Sequence, residues 1–469
     1  MSAFVAQAEL PSSFLIDLRN DIGVERVLTD AADCWVYGQD NSRKHNTPAG
    51  VVLAENHQQV VDAVRHCYKY GVPLTVHGRA TGTVGGAIPL TGGIVLSLER
   101  MNRIIEFDAD NRLMKVEAGV LNQAVQDAAA PKGFFWPPDP TSAAFCTVGG
   151  NVAVNAAGPR ALKYGTTRDN VLGLRAVTGM GEEIQTGVNT TKGVVGYDLT
   201  RLIIGSEGTL AVVTEVTLKL QPEPETIRLL QAVYRDIDSA TKAIVAIMRQ
   251  PHTSRSLEFI DHASIEMVRD YSATELPKNA GAMLLIEVDG PRAGIEAVVA
   301  SLSQAATNDG LMTLAEATSD SEKQQLWATR KALSPALRNV APNKLNEDVV
   351  VPVSRIPELI SGLEQISRQY GIPIVNFGHA GNGNIHVNLL YDSQDPQQDK
   401  QAKPCLEAVF ALVLQLGGTL SGEHGIGLEK RDYVGLEIDP VTLNLMQRIK
   451  REFDPGNILN PDKIFPTVI

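Results

Sequence analysis

The chain has 469 residues and a formal net charge of -12. At roughly 100–200 residues per domain, that length calls for two or three domains with cores of their own. The acidic balance excludes an extended nucleic-acid surface, which needs basic patches, but it is compatible with a local basic pocket for a small anion. Cys34, Cys67, Cys146 and Cys405 lie far apart, so neither a zinc ribbon, a redox dithiol nor an iron–sulfur ligand set is expected. A reduced cytoplasmic setting fits that usage. The N-terminus lacks a basic start and a long apolar core, so no secretory signal is read. "CLEAVFALVLQLGG" is too short to span a bilayer and contains Glu407 and Gln415. A peripheral place at the inner membrane is left open.

In chain order, residues 1–45 read as a helical stretch. "GVVLA" and "PLTVHG" read as strands on either side of "NHQQVVDAVRHCYKY", an amphipathic helix with apolar residues three to four apart. Next comes "HGRATGTVGGAIP", from His77 to Pro89. Gly78, Gly82, Gly85 and Gly86 allow bends that expose successive N–H groups, a cradle suited to a pyrophosphate. The stretch is neither a Walker P-loop nor a Rossmann fingerprint, and a Gly-rich surface turn reads equally well. From Trp136 to Leu174 small residues, glycines and amides follow without a clean period, as a lining does where backbone approaches a large flat ligand. "RLMKVEAGV", "VLGLRAVTGMGEEIQTG" and "LAVVTEVTLKL" add strands, and "QPEPET" is a Pro-rich linker.

Beyond the linker, strands are expected at "IRLLQAVYR", "SLEFIDH", "AMLLIEVDG", "EDVVVPV", "IPIVNFGH" and "NIHVNLL". Helices lie between them, which predicts an α+β sheet with helices on one face. In the segment from Ser319, Trp327, Arg330 and Ser334 share one helix face, and Pro335 predicts an end or kink. "GHAGNGNIHVNLL" forms a natural hairpin. Alternation puts His386 and Asn388 on one face, and the turn can return His379 beside them. "LSGEHGIG" then brings Glu423 and His424. Two His and a carboxylate suit zinc, iron or manganese. By spacing alone, hydrogen-bonded strand histidines and a solvated Glu explain the pattern at least as well.

Taken together, the loop at His77–Pro89, the Trp136–Leu174 stretch, "LIIGSEGTLAVVTEVTLKL" and the two histidine segments resemble the FAD-dependent D-2-hydroxyacid dehydrogenase family, with its vanillyl-alcohol-oxidase-type FAD fold. D-lactate dehydrogenases, the glycolate oxidase FAD subunit and D-2-hydroxyglutarate dehydrogenases belong to that branch. The resemblance implies an α+β protein: a two-part FAD-binding domain at residues 1–222, a substrate domain with an antiparallel sheet and metal site at 223–424, and a helical segment at 425–469 packing back on the FAD domain. It implies non-covalent FAD. His77 and Gly85 belong to the first loop, whose Gly78, Arg79, Ala80, Thr81 and Gly82 would hold the pyrophosphate. Pro138, Asp139 and Ser142 would line the flavin, and Thr147, Gly149, Gly150, Asn151 and Ala153 the ribityl and phosphate region. Gly158, Lys163, Tyr164 and Gly165 would close over the cofactor, with Glu207 and Gly208 toward the adenosine. Ala80 stands where the family often has Gly.

The same resemblance implies a divalent metal on His379, His386 and Glu423, and His424 as catalytic base at the substrate. Arg330, Ser334, Lys344 and Asn388 would bind the substrate. The implied reaction oxidises a D-2-hydroxy acid by hydride transfer to flavin N5, with D-lactate ranked first and D-2-hydroxyglutarate, glycolate or D-malate as alternatives. The electron acceptor would be an electron-transfer flavoprotein, a quinone or a cytochrome, and a homodimer is left open. A metal-dependent hydrolase and a non-catalytic flavin-binding subunit are the readings from other classes.

Overall fold

The computed structural model describes residues 9–90, 92–269 and 277–466. Residues 1–8 of the expected N-terminal helical stretch and 467–469 of the expected C-terminal segment lie outside them. The chain divides into two units, one made of Met1–Ala157, Gly165–Glu223 and Glu423–Ile469, the other of Gly158–Tyr164 and Pro224–Gly422. Among the described residues, no helix is long and apolar enough to cross a membrane.

The first unit holds two main sheets. Strands β1 (Val27–Leu28), β2 (Gly50–Leu53), β3 (Leu74–His77) and β4 (Ile94–Ser97) pair in the order β1-β2-β4-β3. The short β1 interrupts the stretch read as helical. Helix His57–Tyr70 joins β2 to β3 and buries Val60, Val61, Val64 and Cys67. Asn56 caps its start, and Gly71 ends it in the left-handed conformation that glycine adopts without steric cost. The expected βαβ unit therefore forms, with β4 inserted in parallel between its two strands.

The second sheet is antiparallel. Its strands are β5 (Ile104–Asp108), β6 (Leu113–Glu117), β8 (Val171–Thr178), β9 (Glu183–Gly187) and β10 (Ala211–Lys219), in the order β5-β6-β10-β8-β9. Two short strands, β7 (Phe134–Phe135) and β11 (Gln221–Pro222), form a ribbon at the start of the "QPEPET" linker.

The second unit is one antiparallel sheet of seven strands: β12 (Thr226–Tyr234), β13 (Ser256–Asp261), β14 (Ala282–Gly290), β15 (Leu311–Glu316), β16 (Asn343–Val350), β17 (Ile374–His379) and β18 (Asn384–Tyr391), ordered β15-β12-β14-β13-β17-β18-β16. The expected one-sided cover is corrected here. Every β18 residue from Asn384 to Leu390 is buried, so both faces are covered. On one face, Ile265 and Val268 of helix His262–Val268, with Leu333 and Ala336 of helix Asp320–Ala336, pack against Ile260, Met283, Val375 and Phe377. The second helix runs one residue past Pro335, so the proline marks its end without a break. β15 escaped the sequence reading because it lies at the sheet edge and none of its residues is fully buried, which blurs the period-2 signal.

Candidate active site

In the first unit, the loop after β3 is held by its carbonyls. Asn41 donates to the carbonyls of Thr81 (Nδ2, 3.1 Å) and Gly82 (backbone, 2.9 Å). His77 is buried and its Nε2 reaches the Ala87 carbonyl at 2.5 Å, so His77 closes the loop on itself. Burial holds this imidazole below its ordinary pKa, which favours the neutral ring that donates here. By contrast, none of the backbone N–H groups of Arg79–Gly82 donates to a described residue. Gly78 is required: a Cβ there would sit 2.2 Å from Thr147 Oγ1. Ala80 takes the left-handed conformation at φ 48°, where glycine would be unstrained.

Thr147 caps helix Val148–Val154 through the Gly150 N–H. Asn151, on that helix, is buried with no partner for its Nδ2 among the described residues. Open loop N–H groups and an orphaned buried amide fit a bound dinucleotide, since buried donors are otherwise nearly always paired. Elsewhere in this unit Asn122 Nδ2 donates to the Pro138 carbonyl, Asp139 N donates to that of Ala157, and the Ser142 carbonyl accepts from Phe145 and Cys146. Arg79 pairs with Glu99 at 2.9 Å.

Glu207, also left-handed at φ 51°, turns its buried carboxylate onto the N–H groups of Ile426 (2.7 Å) and Gly427 (2.8 Å). It anchors the turn that follows His424. A side chain at Gly425 would meet this carboxylate at 2.9 Å. The next residue, Gly208, is left-handed as well, as are Gly158 and Gly165. Lys163 and Tyr164 lie in the second unit, where both bind the Asp289 carboxylate, Tyr164 Oη at 2.7 Å.

The second unit carries a polar stripe on the sheet face under helix Asp320–Ala336. Directly opposed residues of antiparallel strands share a face, and the register opposes Glu258 to His379, Phe377 to His386, and His386 to Asp348. His379 and His386 stand edge to face, with ring centroids 5.2 Å apart. Glu258, fully buried, accepts from His379 Nδ1 at 2.6 Å and Arg330 Nε at 2.8 Å. Burial pushes its carboxyl pKa up, but His379 and Arg330 outweigh that and hold it below the ordinary range. The Arg330 guanidinium lies over the Phe377 ring, 4.8 Å from its centroid. Trp327 donates to Glu287, and Lys344 Nζ reaches Ser334 Oγ at 3.4 Å.

Asn388 is spent inside the sheet. Its Nδ2 donates to the carbonyls of Val375 (3.1 Å) and His386 (3.0 Å), and its Oδ1 accepts from Asn346. Both of its Nδ2 hydrogens are thereby committed within the sheet. Asp348 holds the Ser421–Gly422 turn through Ser421 Oγ (3.2 Å) and the Gly422 N–H (2.9 Å). Glu423 follows Gly422 directly, so its place is set through that peptide bond. Among the described residues, His379, His386 and Glu423 each offer a ligand atom, all within 4.8 Å of one another. Two nitrogens and a carboxylate oxygen are an apt donor set for a divalent transition ion. With Nδ1 engaged by Glu258, such an ion would meet His379 at Nε2.

The sequence reading missed Glu258, Asp348 and Asn41. The available signal for the first was an acid in mid-strand, between Leu257 and Phe259, where a solvated residue has no place.

Two family models match the chain: "FAD binding domain" over residues 48–187 and "FAD linked oxidases, C-terminal domain" over residues 223–464. The glycolate oxidase subunit GlcD of Bacillus subtilis (strain 168) is 36% identical over 431 residues, 92% of each chain. A D-lactate dehydrogenase of Archaeoglobus fulgidus is 36% identical over 416 residues, 88% of this chain and 90% of the relative. A D-2-hydroxyglutarate dehydrogenase of Xanthomonas citri pv. viticola is 32% identical over 476 residues, 97% of each. Among solved structures, 4-ethylphenol oxidase from Gulosibacter chungangensis superposes with a TM-score of 0.77 at 20% identity, covering 97% of each chain. p-Cresol methylhydroxylase gives 0.78 at 17%, covering 97% of this chain and 96% of that one. At such identities these two likenesses speak to the fold alone.

Proposed function

Because the chain belongs to the FAD-linked oxidases, with the vanillyl-alcohol-oxidase-type fold, and is an FAD-dependent D-2-hydroxyacid dehydrogenase, we propose that its substrate is a small monocarboxylic D-2-hydroxy acid, D-lactate first. One observation carries the choice. Arg330 and Lys344 supply cations for one carboxylate on the stripe, while Asn388 is fully engaged and Arg255 and Lys163 are paired with Glu287 and Asp289. A second carboxylate, as in D-2-hydroxyglutarate, would meet the Ser334 hydroxyl but no further cation among these described residues. Relatives named for D-lactate and for glycolate, both short monocarboxylic acids, are consistent with this reading.

Bound FAD supplies a two-electron acceptor, and a divalent ion on His379, His386 and Glu423 supplies Lewis acidity. The chain's own groups do the rest. Arg330, steadied by Glu258 and Phe377, presents a planar fork suited to a carboxylate, and Lys344 adds a point charge. His424 accepts the α-hydroxyl proton on a ring nitrogen, on a turn kept rigid by the Glu207 bonds just beyond it. Oxidation then removes a hydride and a proton from the alcohol, leaving the 2-oxo acid. The four cysteines form no iron–sulfur ligand set, so an external acceptor such as an electron-transfer flavoprotein, a quinone or a cytochrome would take the electrons.

The test is a panel of D- and L-hydroxy acids with a dye acceptor, on purified protein of measured metal content. D-lactate should be oxidised fastest, and a chelator should abolish turnover while the flavin absorbance stays. Fastest turnover of D-2-hydroxyglutarate would overturn the substrate choice, preference for L-lactate the stereochemistry, and full activity without metal the role of the ion.

A further inference from the structure

We infer that Glu258 is a positioning residue that ties the substrate-carboxylate clamp to the metal-ligand histidine. The inference rests on the reading of this stripe as a hydroxy-acid site. Glu258 sits at the centre of β13 with no exposure to solvent. Its two oxygens go to different partners: Oε1 to His379 Nδ1 at 2.6 Å and Oε2 to Arg330 Nε at 2.8 Å. The strand register directly opposes it to His379. Its opposite neighbour on β14 is Leu285, and among the described residues only His379 and Arg330 donate to its carboxylate.

A buried carboxylate carries a desolvation cost that only close, well-oriented partners offset. That makes both partners rigid in turn. Acceptance from Nδ1–H fixes the His379 tautomer with Nε2 as the ligand atom. Acceptance from Nε fixes the roll of the guanidinium over Phe377, and with it the direction of the two terminal amino groups that a planar carboxylate would meet. A single side chain thus sets two geometries that the reaction needs at once. Metal affinity and substrate affinity become linked through a residue that touches neither.

Glu258→Gln separates this role from mere packing. The amide keeps the shape but offers one acceptor oxygen, and its NH2 must face a second donor, either His379 Nδ1–H or Arg330 Nε–H. Holoprotein of both sequences is compared in three measurements: flavin content, metal affinity by chelator competition without turnover, and KM with kcat for D-lactate. Flavin content should be unchanged, metal affinity should fall about 10–100-fold, and KM should rise roughly tenfold or more. Metal affinity and KM within twofold of the parent would overturn the inference. Should Glu258→Gln fail to fold, Glu258→Asp, too short to reach both partners, is taken through the same measurements, with the same overturning result. If the parent itself binds no metal or oxidises no 2-hydroxy acid, the reading of the site falls. If the parent does both and the variant matches it, the inference falls alone.

Discussion

Ala80 shows how a single residue both hides and reveals a site. It stands where the family often has glycine, and the structure places it in the left-handed region regardless. An L side chain costs about 1–2 kcal/mol there, partly offset because alanine restricts the unfolded chain more than glycine does. Ala80→Gly should therefore raise the thermal unfolding midpoint of the FAD-loaded protein, by about 0.5 kcal/mol of stability. A lowered midpoint would mean that the methyl group makes contacts worth more than the strain. The histidines and Arg330 were singled out through the family resemblance, since spacing alone fitted ordinary strand histidines and a solvated basic helix as well. Glu258 and Asp348 were not: a mid-strand acid hints at burial, but the partners that explain it lie far along the chain.

The hairpin of β17 and β18 was the most legible element. Period-2 alternation correctly paired His386 with Asn388 on one face, and the Gly/Asn turn returned His379 beside them. Alternation could not tell that the face was covered by helix Asp320–Ala336, because a buried polar stripe and a wet one have the same pattern. The C-terminal segment at 425–469 was expected only as helical. In the structure, Asn460 Nδ2 donates to the carbonyls of Gly86 (2.9 Å) and Glu207 (2.8 Å), and Lys463 Nζ to that of Ile88 (2.6 Å). Burial first of all pulls the Lys463 pKa down to about 8, against the upward pull of Asp462 and Glu207. Between that value and the ordinary lysine range near 10.5, the unfolded chain binds more protons, so this group's contribution to stability grows as pH rises. Below about 8 the penalty for its charge is constant. Comparing denaturant midpoints from pH 8 to 10, Lys463→Met should lose this upward component relative to the parent. Identical slopes in the two proteins would show that Lys463 titrates in the folded state as it does unfolded.

At the scale of the molecule, the two family matches follow chain order, whereas the two units do not. The first unit is assembled from three separated stretches, and the second takes in Gly158–Tyr164 ahead of its main body. No local pattern announces such threading, since helix and strand periods say nothing about which sheet a segment joins. Leu162 packs where any side chain on Gly381 would have to stand, and Lys163 binds Asp289, so that short excursion is held by residues far downstream.

This threading imposes a timetable on synthesis. A growing chain completes β12–β18 before the stretch carrying Asn460 and Lys463 has been made, so the second unit can settle while the loop at Gly86–Ile88 still lacks its fasteners. The ribosome thus delivers the seven-stranded sheet before Glu423 and His424, and before the residues that fasten the Gly86–Ile88 loop. Nascent chains stalled after Gly422 should resist protease across β12–β18 yet retain no flavin. Flavin retained by such chains would show that the socket closes without its last fasteners.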